Sequence, residues 1–600
     1  MANKNDLDKK DSEWLVMVYL AGDNNLSPFS IGILQALEAA EYGDNVRVVA
    51  AFDSPTPWPK GARYLEIKHH KKPSHPFHHM KWPLHNDLQK PGHIVVSPDF
   101  CEKVKRKPPA EPIAEEAIAR FFDWVTENYT AKKYMLILFG HGPLVAGHTF
   151  LVDTNPPSYL KLGTFAKILK DHFPPKINIL ACYNCVMNGI ETAVQIQDRV
   201  DYMLGSQSLM LANGWPIQKI VEVVGNNSGK DPKEIAEKVL RVSARNLLDF
   251  ALMEQSSEQA VCDLTKFGKH DQIVTAVRAL SAKLQDGLQF KPGTEDQELL
   301  YPVVRDLVRL ARLEAQSYWH ETFVDLYDFA ALLVEKCDEF VRTINGMTES
   351  LIPGVATQLE RRNKTVKDLV SRWPLIRTLE GIAFWCRRIT DIFHYEKIVP
   401  CSYYVCPKLQ YSHGISIYFP WTLPEGPMTF EPNYADGPRP TNYYLKTPFE
   451  EYETYLFAKP EYGDWERFLK AFFRATLRNV RVVDHEFVDD PSKFYRKESR
   501  EKEGFLVFAD IDLQKSGSGT GDSDDVGSVV KNYPRRFYVS PADCKRRMKV
   551  YGLPDQPEQT EEEAFDTGIK VSYLGWNIRG LLAEEVGLSP STATFIKKTE

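Results

Sequence analysis

The sequence predicts an α/β fold built on a mostly parallel sheet, and two observations carry that prediction. Short apolar runs alternate with helical patterns along the first two hundred or so residues. The runs are apolar at nearly every position rather than at every second one, which marks strands covered on both faces. The first is WLVMVYL (14–20), followed by a polar AGDNNL turn and a helical pattern from Phe29 to about Tyr42. Next come a strand over VRVVAAF (47–53), a helix over 113–129 and a strand over YMLILF (134–139). A helix over 164–173, a strand over INILA (177–181), a helix over about 187–197 and a strand over 202–206 complete the series.

The texture then changes. Helical periodicity dominates 228–397, which reads as a helical insertion between a first core segment, 1–227, and a second, 398–479. Strand texture returns at YSHGISIYF (411–419), and a helix at 464–476 closes the core. Residues 480–600 form a C-terminal appendage with a flexible linker, SGSGTGDSDDVGS (516–528), a basic patch at 544–549 and an acidic run at 558–563.

Composition excludes several classes. Seventy-four Lys and Arg against 81 Asp and Glu leave a net charge of −7, which argues against binding nucleic acid by bulk charge. An aromatic content of 12% excludes a mainly disordered chain. Nine cysteines are too sparse for a disulfide scaffold, so a reducing cytosol is the simpler reading. The start, MANKNDLDKKDSEW, lacks the apolar stretch of a signal peptide, and no window approaches the roughly 18 apolar residues of a membrane helix. A cytoplasmic protein without membrane contact is expected.

Two strand ends carry chemistry. YMLILFGHG places His141 and Gly142 just past one buried strand, and INILACYNC places Cys182 and Cys185 past the next. Ligands of open parallel sheets bind beyond the carboxyl ends of the strands. His141 and Cys185 are therefore expected to face one crevice as base and nucleophile of a thiol hydrolase. The backbone N–H groups of Gly142 and Cys185 are candidates for an oxyanion hole, Gly142 because no Cβ blocks close approach. A helix starting right after Cys185 is expected to lower its pKa. Cys182 and Cys185 also spell C-x-x-C, so a redox dithiol or half a zinc site is a rival reading. Seven histidines between 69 and 93 suggest either a metal site or a solvated insertion, and their spacing fits no zinc pattern.

Five blocks give the chain a resemblance to the clostripain (C11) family of cysteine peptidases, of the caspase-like clan. They are WLVMVYLAGDNNL, ILFGHG, NCVMNGIE, SQSLMLANGWP (206–216) and HGISIYFP (413–420), in family order. The resemblance implies a caspase-like α/β/α sandwich, a His141–Cys185 dyad and an endopeptidase acting on protein substrates. Many relatives prefer Arg or Lys at P1, and some mature by self-cleavage between the histidine and cysteine blocks. At the position two before the nucleophile, where the family commonly has Asp, stands Tyr183. Asn213 stands where an acid often precedes the Gly-Trp pair, here Gly214 and Trp215. Asp23, Asp153, Asn213 and Trp215 are the substrate-pocket candidates. Calcium dependence occurs among relatives, but no D-x-D-x-D-G-like loop marks a site, and no cofactor is required. The helical insertion or the C-terminal region is expected to bind a regulatory protein. A triggered effector in bacterial stress or antiviral defence is an analogy at the level of the clan, and a catalytically inactive scaffold is the alternative.

Overall fold

A computed structural model describes residues 10–53 (Asn25 excepted), 63–68, 94–96, 114–142, 149–154, 157–251 (Asn213 excepted), 257–288, 295–318, 322–351, 374–405, 407–421, 448–475, 480–483, 504–507 and 537–539. They divide into two compact units. The first comprises Met1–Val274, Glu396–Tyr418 and Pro424–Lys459; the second comprises Thr275–Tyr395, Phe419–Leu423 and Pro460–Glu600.

The first unit is organised by a nine-stranded sheet. Its strands are β1 (Lys10–Ala21), β2 (Val46–Asp53), β3 (Arg63–Ile67), β4 (Ile94–Val96) and β5 (Tyr129–Phe139). A hairpin of β6 (Thr149–Thr154) and β7 (Pro157–Lys161) stands outside the sheet, which continues with β8 (Ile177–Tyr183), β9 (Val200–Gly205), β10 (Ser257–Asp263) and an edge strand, Cys401–Val405. From that edge the order runs β10, β9, β8, β5, β1, β2, β3, β4. The five strands from β9 to β2 are parallel. β3 and β4 on one side, and β10 and the Cys401–Val405 strand on the other, pair antiparallel.

Burial explains why the central strands read as continuous apolar runs. Trp14 to Leu20 are at most 2% exposed, and alternate side chains enter two different helical layers. Val16, Val18, Val48, Ile137 and Ile179 share one core with Ile31, Leu34, Ile220, Val224, Ile235 and Val239, from the helices Ser27–Ala39, Ile217–Asn226 and Pro232–Ala251. On the opposite face Tyr19 meets Phe121, and Phe122 and Tyr134 meet Phe173, bringing in the helix Ala114–Asn128 and the end of the helix Leu162–His172. The result is the α/β/α sandwich that the sequence pattern and the family resemblance lead one to expect.

Three details differ from the sequence reading. Segment 228–397 is not wholly helical: β10 lies within it and joins the sheet. Its SEQAVCD carries Glu258 and Gln259 among seven buried residues, so polar letters hide a strand, and the Glu258 carboxylate is bonded to the chain past β9. The predicted strand 411–419 shortens to Ser416–Tyr418 because Gly414 has φ +95, where a Cβ would meet Ala260 and Val399. The helix placed at 187–197 begins only at Ile190.

The second unit contains the helix Gln272–Leu288 from Thr275 onward and the helices Glu295–Glu314, Leu326–Leu351, Pro374–Tyr395 and Trp465–Ala475. The fully buried Arg312 donates to Phe419 O (2.8 Å) and Ser317 Oγ (2.9 Å), with its guanidinium 4.8 Å from the Trp421 ring centre. A small sheet pairs Val480–Val483, Gly504–Val507 and Phe537–Val539. The His-rich stretch 69–93, the linker 516–528 and both charged C-terminal patches lie outside the described residues.

Candidate active site

Sheet register brings the two strand ends side by side. In the parallel β5–β8 pair, Phe139 stands opposite Tyr183. His141 and Cys185 each follow two residues later, past the carboxyl edge where an α/β sheet opens its ligand crevice. Asn184 ties the two ends together: its Nδ2 donates to Gly140 O (2.9 Å) and reaches His141 O (3.4 Å). Gly142 packs backbone to backbone against Cys185, so closely that a Cβ would overlap the Cys185 peptide and only glycine fits.

The thiol is held by a segment that also lies beyond a strand end. Met210 N–H donates to Cys185 Sγ (3.2 Å), and Sγ lies 3.7 Å from Met210 O. Val186 N donates to Ser208 O (2.9 Å) and Asn188 N to Ser206 O (3.0 Å). Residues 185–188 therefore run as a ribbon beside 206–210. Within it Val186 has φ +54, a conformation unusual for a β-branched residue. A second left-handed residue, Leu151 (φ +52), donates its N–H to His141 O (3.0 Å). Each such residue stores roughly 1–3 kcal/mol of backbone strain, and here both flank the candidate dyad.

Burial dominates the electrostatics. It pushes the His141 imidazole down to about 4 and raises the Cys185 thiol, while the N–H groups of Met210 and of Cys185 itself pull the thiol back in part. The pair is thus neutral near pH 7. The expected lowering of the thiol by a helix N-terminus fails, because the helix Ile190–Ile196 starts five residues beyond Cys185. Residues between them are committed to the ribbon, and Gly189 bridges to Ser416. Cys182 is fully buried and pushed above the ordinary thiol range, and all six described cysteines are free.

The pocket candidates separate. Trp215 stacks on Tyr183 (centroids 5.0 Å apart), and Tyr183 meets Phe139 edge-on. The Tyr183 hydroxyl donates to Ala212 O (2.8 Å) and accepts from Trp215 N (2.9 Å). This cluster belongs to the core layer of Val16 and Ile137. Asp153, buried on β6, acts electrostatically on Tyr19, which faces the other helical layer. Its hairpin meets the start of the helix Ala114–Asn128, where Ala114 N donates to Ser158 Oγ (2.9 Å). Asp153 is therefore not grouped with Trp215. Asp23 is buried just past β1, next to Asn24, whose amide joins Ala21 O to Val152 O. Asn213 lies outside the described residues. Among the described residues no group of three His, Cys, Asp or Glu side chains is arranged to hold a metal ion, and no helix is long and apolar enough to cross a membrane.

Sequence reasoning missed Asn184, Val186 and Met210 as parts of this site. Each sits in a block that carries the resemblance, Asn184 and Val186 in NCVMNGIE and Met210 in SQSLMLANGWP, but nothing in those letters gives its hydrogen bond or backbone conformation.

The profile of the clostripain family, peptidase C11, matches residues 18–373. No curated protein matches the chain. Solved structures similar to it include an inactive zymogen C11 protease from Parabacteroides distasonis, 15% identical, spanning 68% of this chain and 92% of that one at a TM-score of 0.38. Another is a secreted C11 cysteine protease from Bacteroides thetaiotaomicron, 15% identical over 68% of this chain and 94% of that one, with a TM-score of 0.40. A secreted C11 cysteine protease from the same organism, in complex with an irreversible peptide inhibitor, is 14% identical over 76% and 99%, with a TM-score of 0.41. With the family profile matched across more than half of its length, this chain belongs to the clostripain family and is a cysteine endopeptidase.

Proposed function

We propose that Cys185 is the nucleophile and His141 the general base and acid of this peptidase. The observation that carries the reading is the Phe139–Tyr183 register, which sets the imidazole and the thiol two residues past paired strand ends. The resting pair is neutral, so His141 takes the thiol proton as Sγ attacks the scissile carbonyl. The carbonyl oxygen becomes an oxyanion, for which the adjacent N–H groups of Gly142 and Cys185 are the proposed donors. Collapse breaks the C–N bond, His141 returns the proton to the leaving amine, and water hydrolyses the thioester.

A neutral P1 preference is proposed, because Asn213 stands where relatives often carry an acid before the Gly-Trp pair. A basic P1 side chain would lack the charge-assisted pair that makes such selection strong. A reducing, cytoplasmic compartment is proposed as its place of action, in keeping with the free state of the six described cysteines.

A peptide library varied at P1, cleaved by wild type and by Cys185→Ala, tests both readings. The expected result is cleavage after neutral residues by wild type and at least a thousandfold loss in the variant, of the order seen when a catalytic nucleophile is removed. Full activity of Cys185→Ala rejects the nucleophile, and strict cleavage after Arg or Lys rejects the neutral P1 preference.

A further inference from the structure

We propose that Glu258 is a positioning residue of the peptidase: by accepting the hydrogen bonds of residues 206–208 it holds the Met210 N–H on the Cys185 sulfur. The inference rests on Cys185 being the nucleophile. Glu258 lies on β10, is 1% exposed, and is separated from that cysteine by 73 residues of sequence. Its Oε1 accepts from Ser206 Oγ (2.6 Å), from the Gln207 N–H and from the Ser208 N–H (2.9 Å). Buried carboxylates are retained where their lone pairs are used, and three donors converge on a single oxygen here.

The converging donors lie where the chain leaves β9. Past Gly205 the backbone turns out of the sheet, and its N–H groups would otherwise be buried without partners. Glu258 supplies the acceptor, and Ser206 Oγ accepts a further bond from Ser208 N (3.0 Å). The Gln207 side chain fixes the same turn from another direction, its Oε1 accepting from Gly414 N (2.8 Å). Two residues further on, the ordered segment meets the nucleophile: Ser208 O holds Val186 N, and Met210 N–H points at the sulfur. The strained Val186 needs such external support, because a left-handed β-branched residue does not persist unless its surroundings fix it.

The functional consequence follows from what an N–H does for sulfur. Donation to the thiol favours its anionic form, the form that attacks. In a half-buried, otherwise neutral dyad this amide is one of few groups working against desolvation. Loosening 206–208 withdraws it and makes deprotonation of Cys185 harder, while substrate contacts elsewhere persist.

The test is alkylation of Cys185 by iodoacetamide as a function of pH, mapped by peptide mass spectrometry on the full chain, alongside kcat and KM. Mapping separates Cys185 from Cys262, which lies in the field of Glu258, and His141 is the titrating neighbour common to all variants. Glu258→Ala is expected to raise the midpoint of Cys185 alkylation by about one pH unit and to lower kcat about tenfold with little change in KM, the scale of a lost supporting hydrogen bond. Glu258→Gln is expected to restore both, since an amide oxygen in the Oε1 position keeps the acceptor. Ser206→Ala, a milder change, is expected to move the midpoint in the same direction and serves where Glu258→Ala does not fold. An unchanged midpoint in folded Glu258→Ala or in Ser206→Ala overturns the proposal, as does Glu258→Gln behaving like Glu258→Ala. Failure of the underlying reading looks different: Cys185→Ala then keeps peptidase activity, whatever the alkylation midpoints show.

Discussion

The half-buried His141 and the buried Glu191 are titratable groups whose desolvation acts on stability with opposite signs. His141 is held near 4 in the folded protein against about 6.5 when exposed. Between those values the unfolded chain binds the extra proton, so stability falls as pH drops through that window. His141→Ala should flatten this loss by about 1–2 kcal/mol at about pH 5, read from denaturant unfolding of both proteins. Glu191 is pushed up to about 7 by burial, with Tyr418 N–H on its Oε1 (2.9 Å). Between its exposed value, 4.5, and 7 the folded protein holds the extra proton, so stability falls as pH rises. Glu191→Gln should therefore be more stable than wild type at about pH 8, by a margin that shrinks to below about 1 kcal/mol at about pH 5, as thermal melts at both values would show.

At the scale of elements, the loop after β9 connects the sheet to the site, and Tyr183 anchors its far end. Tyr183→Phe leaves the Trp215 N–H and Ala212 C=O without that hydroxyl, at a cost of about 1–3 kcal/mol in denaturant unfolding. A variant as stable as wild type would show that water replaces the hydroxyl. Legibility in the sequence follows the same logic of burial. The strands β1, β2, β5, β8 and β9 were visible because both their faces enter helical layers, which leaves uninterrupted apolar letters. β10 was not, because Glu258 and Gln259 break its pattern and the partners of Glu258 are distant in sequence. The Cys401–Val405 strand alternates between half-buried and exposed positions, as an edge does, and was also missed. His141, Gly142 and Cys185 were legible as residues following strand ends. The ribbon of 185–188 with 206–210 was not, since VMNGIETA carries helical letters while tertiary hydrogen bonds force Val186 out of the helical region.

Across the whole molecule, the sheet is assembled from distant stretches of chain: its first strand begins at Lys10 and its edge strand ends at Val405. A chain cut short before that edge strand would expose β10 as an unpaired edge and is expected to aggregate, which light scattering of a 1–395 variant would detect. No Lys or Arg occurs between His141 and Lys161, so self-cleavage after a basic residue there is not expected. An intact-mass time course of the purified chain should show no cut within 142–160.

The central claim concerns one sulfur atom among nine cysteines. Titrating the peptidase with a limiting thiol-directed inhibitor, and mapping the modified cysteine at each point, tests it most directly. Activity should fall in proportion to modification of Cys185 and reach zero at one equivalent, with the other cysteines unmodified. Activity that survives full modification of Cys185, or that tracks another cysteine, would contradict it.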